Sequence, residues 1–248
     1  VDDDPAVITC GGTRTYNYAY TTPMGCTAET YPWTYTYIIN DNVDPTASNP
    51  VSVNVQCIAD VPLPNILVVT DEADNCNAVT VTWTGDVNNG GSGCPMSPYI
   101  VTRTYNVMDA CGNDINVTQT ITAIDNTFPL ATAPTTIDIE CGNAAPVGAT
   151  DYAGFIGLGG TASDNCTANA SLVIAYTDGA LVGTDCSGTI ARSYTITDAC
   201  GNTTTVVQTI TVTDNTFPLA SAPTTIDIEC GNAAPLGATT YAGFTGLG

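Results

Sequence analysis

The chain repeats itself, and this repetition constrains its fold more than any other feature. The segment DACGN at Asp109–Asn113 leads to DNTFPL at Asp125–Leu130. The same two segments return 89 residues later, at Asp198–Asn202 and Asp214–Leu219. A degraded copy, NDNVDPTASNP, lies at Asn40–Pro50. Because each repeat of this kind is one structural unit, the periodicity takes precedence over chain length in predicting domains.

The repeat divides the 248 residues into four segments. Residues 44–125 and 126–214 each form a complete module, which we name the first and second full modules. Residues 1–43 match only the C-terminal half of a module, and residues 215–248 match only the N-terminal half. We therefore expect either a stretch of a longer tandem array or neighbouring copies whose half-modules complete each other by strand complementation.

Residue usage predicts an all-β chain. Thr, Val, Ile and Tyr alternate with polar residues over short runs, and Gly, Pro, Asn and Asp bound these runs. The clearest predicted strands are Val51–Ile58, Val79–Thr84, Ile100–Val107, Val117–Ile124, Thr136–Cys141, Leu172–Tyr176, Ile190–Thr197 and Val206–Thr213. Seven or so strands per repeat fit tandem immunoglobulin-like β-sandwich modules in a linear array, with split half-modules at both ends.

Composition excludes several functions. The chain has 24 acidic residues, three arginines and no lysine or histidine, for a formal net charge of −21. Such a surface repels nucleic acid and anionic membranes, and no apolar run is long enough to insert into a membrane as a helix. Histidine-based triads and Schiff bases are impossible without these residues, and we expect no enzyme. The glycine-rich stretch at Gly154–Gly160 lacks a Walker lysine and is predicted to be a loop.

The 11 cysteines recur at matching places and predict disulfides, which indicate an extracellular location, at a cell surface or in a secreted fibre. Sequence alone leaves three connectivities open for four cysteines. Among these we expect first-to-fourth and second-to-third pairing, in which the longer bridge would clamp the opening strand to the closing hairpin. The expected bridges are Cys57–Cys111, Cys76–Cys94, Cys141–Cys200 and Cys166–Cys186. The same order pairs Cys230 with a Cys26 equivalent, which becomes an intersubunit disulfide if copies complement each other.

Acidic and amide residues mark the places where modules meet. The candidates are Asp41, Asp44, Asp125, Asn126, Asp214 and Asn215. Ca²⁺ takes six to eight oxygen ligands, so ions at these joints would stiffen the array. The alternative is that Asp-Asn before Thr-Phe-Pro only forms a turn in which the Asp side chain accepts from the backbone.

Arg14, Arg103 and Arg192 occupy equivalent places in an R-x-Y strand pattern. Each lies on the strand face of a tyrosine two residues further on. Because a binding patch would cluster its charges and these recur once per module, we expect structural arginines that bond a carboxylate or backbone carbonyls.

Four sites match the N-glycosylation pattern, and that pattern is short enough to arise by accident. They begin at Asn116, Asn165, Asn169 and Asn202.

The order of R-x-Y-x-V/I-x-D-A-C-G-N, D-N-T-x-P, x-E-C and D-N-C resembles the hyalin-type (HYR-like), immunoglobulin-like repeats of giant Bacteroidetes cell-surface adhesins of the gliding-motility and type IX secretion type. The resemblance covers nearly the whole chain. It implies long extracellular stalks or filaments, and it carries over only the structural cysteines and the DACGN and DNTFP turns.

These observations favour a structural subunit or segment of an extracellular bacterial filament or adhesin stalk, with further copies of the chain as partners. The alternative is a carbohydrate- or surface-binding module that contacts surface glycans through aromatic residues. The candidate platform comprises Tyr31, Trp33, Tyr35 and Trp83.

Overall fold

The computed structural model describes residues 10–21, 30–76, 78–221, 225–234, 236–238 and 240. By Cα proximity the chain divides into two compact units. The first unit contains Val1–Thr135, Gly148–Thr177 and Ser193–Gln208. The second unit contains Thr136–Val147, Asp178–Arg192 and Thr209–Gly248.

The fold is all-β and built of β-sandwich modules, which confirms the predicted fold class. The strands of the described part are β1 (Gly11–Thr21), β2 (Thr30–Asn40), β3 (Val53–Val55), β4 (Thr80–Asn88), β5 (Tyr99–Met108), β6 (Asp114–Ala123), β7 (Leu130–Thr132), β8 (Ile137–Glu140), β9 (Thr161–Ser163), β10 (Val173–Asp178), β11 (Val182–Thr184), β12 (Ser187–Thr197) and β13 (Thr203–Thr213). One α-helix, α1 (Tyr152–Gly157), and the single 3₁₀ turns Ile58–Asp60, Ile66–Val68 and Asn169–Ser171 complete this part.

The first full module contains a four-stranded sheet in the order β3-β6-β5-β4. The DACGN turn joins β5 to β6 as an antiparallel hairpin, with Met108 opposite Asp114. β3 runs parallel to β6, with Val53 opposite Ile121. Alternate residues of β5 point inward, so Tyr105 and Val107 are completely buried.

The second full module repeats this arrangement. Its sheet follows the order β10-β12-β13-β8, with β11 added beside β12. β8 runs parallel to β13 in the second unit, with Ile137 opposite Ile210. Each strand therefore occupies the place of its counterpart in the preceding repeat, and equivalent residues can be compared directly.

The prediction that Gly154–Gly160 is a loop is wrong for its first half, which forms α1. The Asp151 side chain caps the helix by accepting from the Gly154 backbone N–H at 2.7 Å. Phe155 is fully buried and packs edge-on against Tyr194, with ring centroids 5.1 Å apart. Burial of this aromatic ring in the core of the first unit outweighs the low helix propensity of the glycines.

The prediction of structural arginines is confirmed at two of the three positions. Arg103 is 2% exposed and donates from Nε to Asp86 Oδ1 at 2.9 Å and from Nη2 to Asp86 Oδ2 at 2.8 Å. Its Nη2 also donates to the Pro62 carbonyl at 2.9 Å. Arg192 makes the same three bonds, to Asp178 and to the Pro146 carbonyl. The side chain of Arg14 lies outside the described part.

The described part of residues 1–43 is an antiparallel hairpin of β1 and β2, and these strands form a two-stranded sheet of their own. Most of its described aromatic side chains are exposed, and the largest of them, Trp33, is 61% exposed. Tyr18 stacks on Trp33 with ring centroids 5.0 Å apart, and Tyr35 contacts Tyr37 at 4.6 Å.

Candidate junction site between the full modules

Two disulfides cross from the first full module to the second. Cys57 is bonded to Cys166, and Cys94 is bonded to Cys200. A third disulfide joins Cys141 to Cys186 in the second unit. The first cysteine of one module thus bonds the second cysteine of the next module, and the third bonds the fourth.

The predicted bridges Cys57–Cys111, Cys76–Cys94, Cys141–Cys200 and Cys166–Cys186 are therefore wrong. For the two first-to-fourth bridges the reason is strand direction. Cys57 follows β3, which is parallel to β6 and ends beside Ala123, whereas Cys111 lies in the turn before β6 begins. The ten residues of β6 separate these two ends by roughly 30 Å, far beyond the reach of a disulfide.

Backbone contacts hold the same junction. The Asp125 N–H donates to the Gly93 carbonyl at 2.7 Å. Gln56 Oε1 accepts from the Asn126 N–H at 3.3 Å and from Thr127 Oγ1 at 3.1 Å, which fixes the start of the DNT turn. A cavity of about 500 Å³ opens here and is lined by both disulfides and by Asp125.

Three carboxylates converge beside this cavity. One oxygen from each of Asp125, Asp164 and Asp198 lies within 4.8 Å of the other two. Asp125 is 2% exposed and Asp198 is 4% exposed. The three carboxylates belong to three turns that the sequence repeats. Asp125 opens the DNT turn at the module boundary, Asp164 opens the DNC turn and Asp198 opens the DACGN turn.

Local hydrogen bonds orient these carboxylates. Asp198 Oδ1 accepts from the N–H groups of Cys200 and Asn202, each at 2.8 Å, and Oδ2 accepts from Asn202 Nδ2 at 2.7 Å. Asp164 Oδ2 accepts from the Cys166 N–H at 2.9 Å, and Asp125 Oδ1 accepts from the Thr127 N–H at 3.2 Å. Asp125 Oδ2 and Asp164 Oδ1 are buried and accept no hydrogen bond.

The electrostatics of the cluster are unfavourable without a cation. Burial raises the pKa of Asp125, and the negative charges of Asp164 and Asp198 raise it further. A bound divalent cation would offset both effects. The two buried, unpartnered oxygens are therefore suitable cation ligands.

The preceding junction brings carboxylates and cysteine thiols close together. Asp41, Asp74 and Asp109 are the residues equivalent to Asp125, Asp164 and Asp198. Asp41 lies close to Asp109 and Cys111, and also to Asp74 and Cys76. Asn113 Nδ2 donates to the Asp41 carbonyl at 3.3 Å, as Asn202 Nδ2 donates to the Asp125 carbonyl at 3.4 Å.

The structure brings together only some of the predicted calcium ligands. Asp125 and Asp41 belong to carboxylate clusters, whereas Asp44 is exposed and belongs to none in the described residues. Asn126 and Asn215 use their backbone N–H groups to bond Gln56 and Glu140. Asp214 is exposed and accepts from the Thr216 N–H.

Sequence reasoning missed Asp198 and Asp109 as members of these clusters. The available signal was the invariable aspartate that opens both DACGN segments, which the sequence had identified only as part of a turn.

The predicted glycosylation sites differ in accessibility. Asn116, Asn165 and Asn169 are exposed. Asn202 is half-buried, and its Nδ2 donates to Asp198 and to the Asp125 carbonyl. A glycan on that nitrogen is incompatible with this junction, and modification of the other three stays a prediction.

Comparison with known proteins finds similarity among solved structures. No protein-family model and no curated protein match the chain. It is similar to the solved structure of a protocadherin gammaB7 EC3-6 cis-dimer, with 12% identity and a TM-score of 0.28 over 75% of this chain and 55% of that one. It is also similar to human mucin-like protocadherin EC1-2, with 10% identity and a TM-score of 0.29 over 68% of this chain and 98% of that one.

The fold and the junction define a tandem β-sandwich protein whose consecutive modules are cross-linked by disulfides. Disulfides of this kind are typical of proteins outside the reducing cytosol. Within the described residues no helix is long and apolar enough to span a membrane.

Proposed function

We propose that the chain is a structural segment of an extracellular bacterial filament or adhesin stalk whose modules are linked end to end. The observation that carries this proposal is the pair of disulfides, Cys57–Cys166 and Cys94–Cys200, across one module junction. Two separate covalent cross-links resist both bending and twisting at the joint. Structural rigidity is the property that a load-bearing stalk requires.

The motif order supports the assignment to hyalin-type adhesin repeats. The cross-linked junction adds a mechanical reason, because force applied along the array passes through covalent bonds at the joint. We assign the chain no catalytic role.

The aromatic hairpin supports assembly by strand complementation. In both full modules the tyrosine equivalent to Tyr16, namely Tyr105 and Tyr194, is completely buried. In the β1–β2 hairpin large apolar side chains such as Trp33 and Ile38 remain exposed. Residues 215–248 match the complementary half of a module, so the corresponding segment of a neighbouring copy would cover this hairpin and satisfy the strand edges.

Electron microscopy tests the filament proposal. The full chain, purified under oxidising conditions and concentrated, should form unbranched fibres with an axial repeat that matches a whole number of modules. A population of isolated monomers at every concentration would contradict self-assembly. One longer natural polypeptide in intact cells, with these residues inside it, would assign end-to-end linkage to chain continuity.

We also propose that the Asp125, Asp164 and Asp198 cluster binds Ca²⁺. The two unpartnered buried oxygens and the raised pKa of Asp125 support a cation, and carboxylate oxygens are the ligands that Ca²⁺ prefers. The three equivalent aspartates at the preceding junction support one site per joint.

Calorimetry tests the calcium site. Titration of the chelator-treated chain with Ca²⁺ should give saturable binding, and the melting temperature should rise. The double variant Asp125→Asn with Asp198→Asn should lose binding at this junction, whereas Asp138→Asn, an exposed aspartate outside the clusters, should bind as the parent does. Equal binding by all three proteins would exclude the site.

The second candidate function is glycan binding, which the exposed pair of Tyr18 and Trp33 favours. Aromatic faces of this kind provide apolar area with a polar edge. Glycan-array binding that disappears in Trp33→Ala and survives in Trp83→Ala would assign this role to the hairpin. Absence of binding by the full chain would exclude it.

A further inference from the structure

The two junction disulfides follow one pattern. The first cysteine of a module bonds the second cysteine of the next module, as Cys57 bonds Cys166. The third bonds the fourth of the next module, as Cys94 bonds Cys200. We call the cysteines first-type to fourth-type by their order in a module. The pattern describes this junction, whereas the first-type cysteine of the second full module bonds the third-type cysteine of its own module.

Cys76 is the second cysteine of the first full module, and it is exposed. The turn that presents it matches the turn around Cys166. Asp74 Oδ2 accepts from the Cys76 N–H at 2.8 Å, and Asp164 Oδ2 accepts from the Cys166 N–H at 2.9 Å. Cys76 therefore lies where a first-type cysteine of the preceding module should reach it.

Residues 1–43 do not supply that cysteine. They contain Cys10, which matches the third cysteine of a module, and Cys26, which matches the fourth. Cys10 is hydrogen-bonded to the thiol of Cys111, the fourth cysteine of the next module, which agrees with this pattern for a third-type cysteine. The first-type cysteine of a module belongs to its N-terminal half, which residues 1–43 do not match.

Residues 215–248 contain the matching first-type cysteine, Cys230, which is also exposed. Its turn repeats the turn after Cys141. Asn232 N–H donates to the Glu229 carbonyl at 3.1 Å, as Asn143 N–H donates to the Glu140 carbonyl at 3.1 Å. The glycine after each cysteine has a positive φ, +99° at Gly231 and +79° at Gly142. Cys230 is thus presented as the first cysteine of a module.

We propose that Cys230 of one copy forms a disulfide with Cys76 of the next copy, across a module assembled from residues 215–248 of the one and 1–43 of the other. This inference rests on the proposed end-to-end assembly. It replaces the intersubunit bond from Cys230 to Cys26, because across the observed junction the first-type cysteine bonds a second-type one and the fourth-type cysteine bonds a third-type one. Cys26 itself lies outside the described residues.

The bond forms by oxidation of two thiols to one disulfide. The two electrons and two protons pass to a disulfide oxidant, such as oxidised glutathione or the active-site disulfide of a thiol oxidoreductase, which becomes a dithiol. Each added copy therefore consumes one equivalent of oxidant.

Complementary single variants of the full chain test this bond. The parent chain in a glutathione redox buffer should give a ladder on non-reducing gels that collapses to 25.4 kDa on reduction. Cys76→Ser alone and Cys230→Ser alone should give no cross-link. Their equimolar mixture should give one cross-linked dimer and no higher species, because only one reactive end remains on each chain. Peptide mass spectrometry should identify Cys76 joined to Cys230.

Three outcomes would overturn the inference: a ladder that survives in either variant, a Cys230 peptide joined to Cys26, or a Cys76 peptide joined to a cysteine outside these 248 residues. Micrographs of the same samples separate this failure from failure of the proposed function. Fibres without the Cys76–Cys230 peptide overturn the bond and retain the assembly, whereas monomers under all conditions overturn both. Melting curves of both variants confirm that each one is folded.

Discussion

At the scale of single residues, the Arg103–Asp86 and Arg192–Asp178 pairs do the most to fix each module. The arginines are almost completely buried, and each carboxylate is about one-third exposed, so water screens the pair only from one side. The third bond of each arginine, to the carbonyl of Pro62 or Pro146, ties the paired strands to a loop distant in sequence. This explains why one arginine recurs per repeat in a chain that has no other basic side chain.

Replacing Asp86 should destabilise the first full module. Asp86→Asn leaves a buried guanidinium without its counter-charge, and a loss of about 3 kcal/mol in unfolding free energy is expected. Urea denaturation followed by tyrosine and tryptophan fluorescence measures it. Asp138→Asn, at an exposed aspartate, is the matched control and should change stability by less than about 0.5 kcal/mol. A similar urea midpoint for both variants would mean that the Arg103–Asp86 pair contributes nothing to stability.

Acid should weaken the same two arginine–aspartate pairs. Hydrogen bonds from Arg103 and Arg192 lower the pKa values of Asp86 and Asp178 below their usual 3.8. Their stabilisation is therefore complete above pH 3.8 and is lost as the pH falls through the lower folded values. Urea midpoints of the parent should fall between pH 4 and pH 2. The double variant Asp86→Asn with Asp178→Asn should fall less over the same interval, and parallel curves would contradict this assignment.

At the scale of elements, the junction depends on where strands end. β3 and β6 finish side by side, and their ends carry Cys57 and Asp125 towards the turns that hold Cys166 and Asp198. The DACGN hairpin serves two purposes. It closes its own sheet, and it orients one carboxylate and one cysteine for the module before it.

Removal of one junction disulfide should lower the free energy of unfolding, mainly because the unfolded chain gains conformational entropy. Cys57 and Cys166 are 109 residues apart, and closure of such a loop is worth about 4–5 kcal/mol. The paired variant Cys57→Ser with Cys166→Ser should lower the denaturation midpoint by a corresponding amount, with unchanged circular dichroism at 20 °C or below. The pair Cys76→Ser with Cys230→Ser, which removes no bridge within the chain, should leave the midpoint of the monomer unchanged.

The junction also depends on the backbone conformation of Gly93. Its φ is +80°, and a Cβ there would lie 3.0 Å from Ile58 Cγ1, while its carbonyl accepts from the Asp125 N–H. Gly93→Ala should destabilise by about 1–2 kcal/mol, because L side chains disfavour this backbone conformation. Gly157→Ala, at a helical glycine with open space around it, should instead stabilise slightly. Equal effects of the two changes on the melting temperature would refute the role of Gly93.

At the scale of the whole molecule, the net charge of −21 opposes contact between copies. The proposed assembly would therefore require a device that holds like-charged surfaces together. The proposed intersubunit disulfide and the proposed Ca²⁺ site are two such devices.

Self-association should consequently depend on ions in two separable ways. Raising NaCl from 10 to 150 mM shortens the Debye length from about 30 to about 8 Å and should speed the growth of light scattering. At matched ionic strength Ca²⁺ should act more strongly than Na⁺ or Mg²⁺, because Mg²⁺ keeps its own water shell. Equal effects of the three salts would assign the ion dependence to screening alone.

Much of the fold was predictable because its signals are local. The strands Ile100–Val107 and Val117–Ile124 were identified from alternation, and β5 and β6 contain them almost completely. Arg103 was recognised as structural from its position in the repeat. The helix around Phe155 was not, because its formation depends on burial of one aromatic ring against Tyr194 from a distant strand.

The sequence by itself determined that the chain is all-β, that it is built from a repeated module, and that its cysteines and junction aspartates recur once per repeat. Only the tertiary structure decided which of these residues meet. The physical reason is that a disulfide spans about 5–6 Å between Cα atoms, and strand direction determines which ends come within that distance. Parallel pairing of β3 with β6 sends Cys57 away from Cys111 and towards Cys166.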